Sequence, residues 1–547
     1  MKKNICLTLV WILITALLFS SAGAEDLLFG KRYELSENGE AVIDDVSACT
    51  APEANGQNRV FYEIFTGSFS DSDGDGTGDI RGIINRMDYL NDGDPNSGLS
   101  LGVEGIWLTP VFTSSSYHKY DVTDYYTVDP AFGTNEDLKE LIDLCHERGV
   151  LVILDLPINH TSVNCRWFKN FSNAHLTHNP RNSYYEFYSY IQKDAPNPAG
   201  RHFIPLRNTD ILVEANFSDD MPELNFDREE VRQAVLDVAK YWLGMGVDGF
   251  RFDAAKYVYY GDHEKSAEFW NWYIDELKKI RSNVYVVAEV WDGDGITDRY
   301  VPAMNCFNFS MSQVNGMIAE TAKRGDVNKL TAHIEKTLDR LHAIRPDAMN
   351  ILFISNHDMD RSAGYLTVAS GYMKMAANLY LLSPGSPFIY YGEEIGLRGS
   401  RGGANTDANR RLAMLWGDGD TVADPVGTTY EAKQQTPYAV TDLLGNGDSI
   451  LNYYKRLIMI RKAHPSIAAG EYQALGFQDT KAGGFIVTLN GIRTVVIHNT
   501  SGSREVLDLS ILDGWEDLKI TDTIGAEDAM LEGSMLTVGS QTSVILE

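Results

Sequence analysis

Mainly apolar runs of strand length recur along the chain, and several of them end in an acidic residue. The clearest four, with the carboxylate that follows each run at once or within four residues, are 152–154 with Asp155, 247–252 with Asp253, 284–288 with Glu289, and 351–354 with Asp358. Such runs are typical of buried strands whose carboxyl ends open into a site. Because they alternate with helical stretches, the pattern predicts a (β/α)₈ barrel, whose functional groups come from the ends of different strands.

The same alternation predicts how the chain divides into domains. Strands are predicted at 60–65, 103–108, 150–156, 247–252, 284–289, 305–309, 350–354 and 388–391, with helices that include 80–90, 136–148, 229–243, 264–280 and 450–463. We assign residues 57–160 and 225–465 to the barrel. Residues 161–224 are too many for a βα loop, so we predict a small inserted domain over the barrel mouth. Short runs broken by Gly, Asn and Asp predict a C-terminal antiparallel β-sandwich at 466–547.

The N-terminal residues and the net charge bear on location and partners. Lys2 and Lys3 precede an apolar stretch and then the small residues 22–24, which predicts a cleaved signal peptide at 1–24 and export out of the cell or into a periplasm. Residues 25–56 lack periodicity and form a predicted leader. The formal net charge of −29 disfavours nucleic acid or an anionic membrane as partner, since both would repel the chain. We expect a monomer without membrane association after signal cleavage.

Three carboxylates at predicted strand ends suggest sugar chemistry. Breaking a glycosidic bond needs one carboxylate at the anomeric carbon and one carboxylic acid to protonate the leaving oxygen. Asp253, Glu289 and Asp358 are candidates for these tasks. Arg251 lies two residues before Asp253, on the same face of its strand, and can keep that carboxylate ionised. We expect the side chains of His160 and His357 to donate hydrogen bonds to sugar hydroxyls.

A loop of alternating acids and glycines is the second candidate site. Asp71, Asp73, Asp75 and Asp79 are spaced so that their oxygens can surround a hard cation, and Ca²⁺ prefers such ligands. The loop begins like an EF-hand, but Gly82 stands in the place of the closing glutamate, which argues against that motif. An acidic turn without an ion is the alternative interpretation. Close packing of so many acids without a cation is repulsive, and this favours an ion.

Five short motifs resemble the ordered signature regions of the α-amylase family of glycoside hydrolases. They are Asp155 with Asn159 and His160, Gly249 with Arg251 and Asp253, Glu289, Asn356 with His357 and Asp358, and the segment 221–225. Glu223 stands where the family usually has Asp. The resemblance runs from about Arg59 to the C-terminus, and it implies the family's three-domain plan: a catalytic barrel, an inserted domain and a C-terminal β-sandwich.

The resemblance also implies roles for individual residues. Asp253 is the implied nucleophile and Glu289 the implied general acid/base of a retaining double displacement, with Asp358 binding and distorting the sugar in the cleaved subsite. The implied sugar-binding residues are Tyr120 (a stacking platform), Asp121, His160, Arg251, Lys256 and His357. The implied structural Ca²⁺ ligands are Asp71, Asp73, Asp75, Asp79 and the carbonyl of Thr77.

The residues after the nucleophile bear on the linkage that is cleaved. Ala254, Ala255 and Lys256 resemble the members that act on α-1,4 bonds, although Tyr257 replaces a histidine that is usual there. We therefore expect an exported, calcium-containing α-amylase acting on starch or maltooligosaccharides. An α-glucosidase or oligo-1,6-glucosidase and a 4-α-glucanotransferase remain alternatives, because cleft shape decides between water and sugar as acceptor. A non-catalytic binding or transporter-associated homologue is a further alternative, disfavoured because all three carboxylates are present.

Overall fold

The computed structural model describes residues 57–430 and 435–547, together with two short paired strands at Glu34–Leu35 and Ala41–Val42. The predicted signal peptide and the rest of the predicted leader lie outside the described residues. In the part of the chain that is described, no helix combines the length and the apolar character needed to cross a membrane.

Eight parallel strands form the barrel that the sequence predicts. In chain order, β1 to β8 are Phe61–Ile64, Gly105–Leu108, Leu151–Leu156, Gly249–Phe252, Tyr285–Ala288, Asn305–Cys306, Ile351–Leu352 and Ser386–Tyr390. Their order in the sheet is 6-5-4-3-2-1-8-7, so each strand pairs with its neighbours in the sequence. A parallel bridge between Phe307 and Ile351 joins the two edges and closes the barrel. Large side chains fill the interior, among them Phe61, Trp107 and Phe388.

Helices surround the barrel and bury their apolar faces against it. The helices of the barrel region are Ile80–Asn85, Met87–Leu90, Asn135–Glu147, Glu229–Met245, His263–Ile280, Asp294–Thr297, Met317–Ala322, Val327–Ile344, Ser362–Tyr365, Tyr372–Leu381, Val440–Leu444, Ile450–Ala463 and Pro465–Ala469. The helix predicted at 450–463 is observed with the same bounds, and it begins where the Ser449 side chain caps its first turn. The predicted helix 80–90 is divided at Arg86, whose backbone leaves the helical conformation.

The segment after β3 contains elements of its own. It contains the helix Arg166–Leu176 and an antiparallel sheet of Tyr190–Gln192, Phe203–Pro205 and Ile211–Glu214, with the last of these in the centre. Trp167, Phe168, Phe187 and Tyr188 are buried and pack against one another. A bridge between His160 and Glu223 joins the two ends of the segment beside the barrel.

The C-terminal strands form two antiparallel sheets, which confirms the predicted sandwich. One sheet has the order Glu471–Leu475, Gly483–Leu489, Ile492–Asn499, Thr542–Leu546, Ile520–Gly525, and the other Glu505–Asp508, Met535–Val538, Ala529–Glu532. The facing sides share an apolar core that includes Leu507, Leu536 and Val544. His464, just after the last long barrel helix, hydrogen-bonds Asp522 and Glu547 and so ties the barrel to this domain.

Candidate active site

Strand register brings the predicted carboxylates to one place at the carboxyl end of the barrel. Asp253 directly follows β4 and Glu289 directly follows β5. Within the sheet, Arg251 of β4 lies opposite Asp155 of β3. Because side chains at paired positions project to the same face, both enter the barrel interior below the reacting groups. Asp358 reaches the same site from the loop after β7.

The Arg251 guanidinium connects three of these carboxylates. Its Nη1 donates to Asp155 at 2.8 and 2.9 Å and to Asp253 Oδ1 at 2.7 Å, and its Nη2 donates to Glu289 Oε2 at 2.6 Å. The side chain is 1% exposed and lies over the Trp107 ring at 5.3 Å. A buried charge of this kind is stable only when it is paired and hydrogen-bonded, as it is here. Asp253 and Glu289 are thus held on one planar cation.

Burial and neighbouring charges adjust the proton affinities of the two carboxyls. Burial raises the pKa of Glu289 to about 7, with Arg251 opposing the rise and Asp253 and Asp358 adding to it. Burial also raises the pKa of Asp253, and Arg251 is the main charge that opposes this. Glu289 therefore retains a proton near neutral pH, which suits a general acid.

Asp358 belongs to a second charged network. Arg411 Nη2 donates to Asp358 Oδ1 at 2.7 Å, and His357 Nε2 lies 3.1 Å from Asp358 Oδ2. Although burial acts in the opposite direction, these two cations hold the pKa of Asp358 well below its usual range. Burial likewise disfavours a charged His357, but Asp358 and Glu63 raise the pKa of His357 to about 10. The Glu63 carboxylate lies 2.5 Å from His357 Nδ1.

Tyr120 and Asp121 lie on the loop between the paired strands Phe112–Ser114 and Val122–Val128. The Tyr120 hydroxyl contacts Asp155 at 2.9 Å and His357 at 2.7 Å, and its ring stacks on the His357 ring. Tyr120 is therefore fixed at the site with 9% of its surface exposed. Asp121 accepts hydrogen bonds from the hydroxyls of Ser114 and Ser116 and is buried.

His160 and Lys256 differ in their hydrogen-bond partners. His160 Nε2 is buried and has no hydrogen-bond partner among the described residues, and burial lowers the pKa of His160 to about 4. A neutral imidazole with a free ring nitrogen can bind a sugar hydroxyl. Lys256 Nζ instead donates to the Trp291 carbonyl at 2.7 Å and to Asp292 at 3.0 Å.

Two residues of the site, Glu63 and Arg411, were not found from the sequence, and Asp155 was given no role. Glu63 lies inside the apolar run of β1, where an isolated acid is a signal of a functional interior position. Arg411 comes from a long segment after β8 with no strand or helix pattern, so no local signal identified it. Both residues act on Asp358, Arg411 directly and Glu63 through His357.

The acidic loop brings three of its carboxylates together. Oxygens of Asp71, Asp73 and Asp79 lie within 4.8 Å of one another. The Asp75 carboxylate is not part of this group and accepts a hydrogen bond from the Thr77 amide at 2.7 Å. Three converging carboxylate oxygens are the ligand set of a hard cation, so these residues fit a calcium ion.

Comparison with known proteins agrees with this geometry. Residues 63–470 match the family model described as "Alpha amylase, catalytic domain". Alpha-amylase 3 of Dictyoglomus thermophilum is 32% identical over 509 residues, which cover 90% of this chain and 93% of that protein. A 4-alpha-glucanotransferase of Thermotoga maritima is 31% identical over 356 residues, covering 63% of this chain and 74% of its own length.

Among solved structures, Amy13B of Eubacterium rectale superimposes with a TM-score of 0.82 at 31% sequence identity, covering 91% of this chain and 96% of that chain. The family match spans more than half of the sequence and includes β4, β5 and the loop after β7. The chain belongs to the alpha-amylase family of glycoside hydrolases, whose members act on α-glucans.

Proposed function

We propose that the protein hydrolyses α-1,4-glucosidic bonds in starch or maltooligosaccharides with retention of anomeric configuration. The observation that carries this proposal is the shared guanidinium of Arg251, which bonds Asp253 and Glu289 at 2.7 and 2.6 Å. Two carboxyls on one cation are close enough to act on the same sugar ring. A retaining mechanism needs them about 5–5.5 Å apart, whereas an inverting one needs room for a water between them.

In the first step, Glu289 protonates the glycosidic oxygen while Asp253 attacks the anomeric carbon. The bond to the leaving sugar breaks, and a covalent glycosyl–Asp253 ester forms. Arg251 stabilises Asp253 as the carboxylate that attacks, and the raised pKa of Glu289 keeps the acid protonated. His160, His357, Asp358 and Tyr120 bind hydroxyls and the ring of the sugar that is attacked.

In the second step, Glu289 acts as a base. It takes a proton from water, the water oxygen bonds to the anomeric carbon, and Asp253 leaves as a carboxylate. Asp358 stays ionised throughout, because its ion pairs with His357 and Arg411 stabilise the carboxylate form. Its fixed negative charge stabilises the positive charge that develops at the anomeric carbon in both transition states.

Transfer to a sugar is the second candidate function, and one observation favours it. The 4-alpha-glucanotransferase relative is 31% identical to this chain, close to the 32% of the amylase relative. The greater coverage by the amylase relative, 90% of this chain against 63%, supports hydrolysis as the main activity.

We also propose that the loop at 71–79 binds a structural calcium ion. Asp71, Asp73 and Asp79, whose carboxylate oxygens converge, would hold it, with the Thr77 carbonyl that the resemblance implies as a further ligand. The Asp75 carboxylate, which accepts a hydrogen bond from the Thr77 amide, is not assigned as a ligand. The ion would supply positive charge that offsets the repulsion between these carboxylates. Export through a signal peptide at 1–24 is a proposal from the sequence alone.

Early product analysis tests the main proposal. The protein is incubated with amylose, and the chain lengths and anomeric form of the first products are followed by chromatography and proton NMR. We expect short maltooligosaccharides whose new reducing ends are initially the α-anomer. First release of the β-anomer would contradict retention. In a parallel incubation with a single maltooligosaccharide, products longer than that substrate would instead indicate transfer.

A further inference from the structure

Glu63 places a carboxylate inside the barrel, next to the candidate active site. It lies on β1 in register with Trp107 of β2 and Tyr390 of β8, so its side chain projects to the same face of the sheet as theirs. The side chain is 2% exposed. A carboxylate at such depth is stable only when it is paired and hydrogen-bonded. In the part of the chain that the structure describes, His357 is the one ion-pair partner of Glu63.

The His357 ring has acceptors beside both of its nitrogens. Glu63 Oε1 lies 2.5 Å from Nδ1 and 3.3 Å from the backbone nitrogen of His357. On the other side of the ring, Nε2 lies 2.7 Å from the Tyr120 hydroxyl oxygen and 3.1 Å from Asp358 Oδ2. A ring nitrogen donates a hydrogen bond only when it carries a proton, so acceptors on both sides require the doubly protonated ring. The surroundings of His357 therefore fit an imidazolium.

The Tyr120 hydroxyl gives these hydrogen bonds a direction. Its single proton is donated to Asp155 Oδ2 at 2.9 Å, so its oxygen accepts from His357 Nε2. A neutral ring with its proton on Nδ1 would instead present a lone pair at Nε2. Tyr120 would then turn its proton toward that lone pair, Asp155 would lose a hydrogen bond, and Asp358 Oδ2 would face the lone pair. The positive charge on His357 therefore decides how three neighbouring side chains are oriented.

Charged and titratable side chains from several elements surround the Glu63–His357 pair. They are Tyr120 of the loop after β2, Asp155 of β3, Arg251 of β4, Asp358 of the loop after β7, Tyr390 of β8 and Arg411 of the segment after β8. The two arginines oppose a positive charge on His357, but each bonds carboxylates of its own. Burial opposes that charge as well, yet Asp358 and Glu63 raise the pKa of His357 to about 10. Asp358 shares its charge between His357 and Arg411, whereas the charge of Glu63 acts on His357.

We propose that Glu63 is a positioning residue whose negative charge keeps His357 doubly protonated. The charged ring then holds Tyr120 and Asp358 in the arrangement that binds the sugar at the cleaved bond. This rests on the proposed function, in which both side chains contact that sugar. Glu63 acts through His357 and takes no part in bond breaking. Loss of the ring proton misdirects Tyr120 and Asp358, so the transition state is bound less tightly although the fold is kept.

Two substitutions of Glu63 separate its charge from its shape. Glu63→Gln keeps the length of the side chain and an oxygen that accepts from His357 Nδ1, but it removes the negative charge. Glu63→Asp keeps the charge on a shorter side chain. The measurement is kcat/KM for α-maltosyl fluoride between pH 6 and pH 9.5. Fluoride leaves without a proton from Glu289, so the titration of that carboxyl does not enter the profile.

The expected profiles differ in their alkaline limbs. The unsubstituted protein should give a flat profile over most of this range, because the pKa of His357 is about 10. Removing a neighbouring anion lowers the pKa of a histidine, and an opposite charge at this range shifts a pKa by roughly 1–3 pH units. Glu63→Gln should therefore add an alkaline limb about 1–3 pH units lower, above which kcat/KM falls about tenfold per pH unit. Glu63→Asp should lower kcat/KM at every pH and leave the profile flat.

Glu394→Gln is the matched control. Glu394 is also a buried glutamate, and it accepts hydrogen bonds from the hydroxyls of Tyr62 and Tyr89 at 2.6 and 2.5 Å. Tyr62 precedes Glu63 on β1, and successive side chains of a strand point to opposite faces, so Glu394 lies on the other side of that strand from His357. This substitution removes a carboxyl of the same size, and the fluoride profile should keep its shape.

An alkaline limb in Glu63→Gln that coincides with that of the unsubstituted protein would overturn the proposal. The same lowered limb in Glu63→Asp would also overturn it, because shape and not charge would then be responsible. Failure of the unsubstituted protein to cleave α-maltosyl fluoride would instead contradict the proposed function.

Nitrogen NMR of the unsubstituted, histidine-labelled protein is a second measurement that needs neither substrate nor a folded Glu63 variant. The His357 signals are identified by their loss in His357→Asn. At pH 8 both ring nitrogens of His357 should carry protons, because the pKa of His357 is about 10. A neutral ring at that pH would overturn the proposal whatever the protein cleaves.

Discussion

Carboxylates gather in two regions of this molecule, the barrel mouth and the acidic loop at 71–79, and their surroundings differ. In the barrel, Asp253 and Glu289 are largely buried and share the Arg251 guanidinium. In the loop, Asp73 is exposed and Asp71 is half-buried, and Asp71 accepts hydrogen bonds from the Gly74 and Gly76 amides, each at 2.8 Å. Side-chain cations therefore set the charge of the first cluster, and backbone amides set the shape of the second.

This difference predicts that the barrel carboxylates serve catalysis and the loop carboxylates serve stability. Low dielectric around a buried carboxyl makes each neighbouring charge effective, so proton affinities shift there. Around an exposed carboxyl, water screens the same charges, and its oxygens serve chiefly as hydrogen-bond acceptors or ligands. We therefore expect changes in the barrel cluster to alter rate and pH dependence, and changes in the loop to alter thermal stability with little effect on rate.

Asp253→Asn should give the largest effect. It removes the proposed nucleophile while keeping a similar shape, so we expect kcat on maltooligosaccharides to fall by on the order of 10³-fold or more. Thermal unfolding should show a retained fold, because Arg251 keeps its bonds to Asp155 and Glu289. Unchanged starch cleavage by this variant would place the catalytic site elsewhere.

The pH profile of kcat/KM should give the next largest effect. Because Glu289 must be protonated to act as an acid and its pKa is about 7, kcat/KM for maltopentaose should fall roughly tenfold per pH unit above that value. Fluoride leaves without protonation, so α-maltosyl fluoride should lack this alkaline limb. The same limb with both substrates would mean that a different group titrates.

Removal of calcium should lower stability more than rate. At a calcium concentration about 100 times the dissociation constant, we expect the ion to contribute about 2.7 kcal/mol, measured as a higher Tm that EDTA reverses. Asp71→Asn should abolish this calcium-dependent gain. Asp94→Asn is the control, since Asp94 is exposed and, like Asp71, accepts a backbone hydrogen bond, here from Asn96. A Tm of the Asp71 variant that still rises with calcium would argue against this site.

Substitution of His464, which pairs with Asp522 and Glu547 outside both regions, should give the smallest effect. Burial opposes its charge, but Asp522 and Glu547 raise the pKa of His464 above its usual value. This stabilisation is therefore present below about pH 6.5 and is lost as the pH rises through the higher folded-state pKa. His464→Gln should remove about 1 kcal/mol of this pH-dependent stability, seen as a smaller difference in Tm between pH 6 and pH 9. An unchanged pH dependence would show that another group is responsible.

The sequence predicted the barrel strands and the carboxylates at their ends, because a buried parallel strand has a recognisable apolar run and a polar end. The eight strands β1 to β8 therefore occur in the order that the predicted (β/α)₈ barrel requires. Arg411 could not be predicted in this way. It reaches Asp358 from the end of a single 3-10 turn, Asp407–Arg410, which is too short to give a sequence pattern, so its position depends on tertiary contacts.

The contacts of the Tyr120 and Asp75 side chains also depend on packing. The family resemblance implied an aromatic platform at Tyr120, but not that its hydroxyl lies between Asp155 and His357. The regular spacing of the loop acids suggested equal ligands, yet the Asp75 carboxylate bonds to the Thr77 amide while Asp71, Asp73 and Asp79 converge. Spacing along a chain does not fix side-chain direction when glycines alternate with the acids, because each glycine permits several backbone conformations.

The arginine that joins two acids has a consequence for the order of proton transfers. In the proposed mechanism Asp253 becomes an ester and loses its negative charge, which is one of the charges that raise the pKa of Glu289. The guanidinium then has one fewer anion to neutralise and interacts more strongly with Glu289. The carboxyl that has just given up its proton thus becomes a weaker base than it was an instant before, and stays ionised until water arrives. The intermediate itself prepares Glu289 for the second half of the reaction.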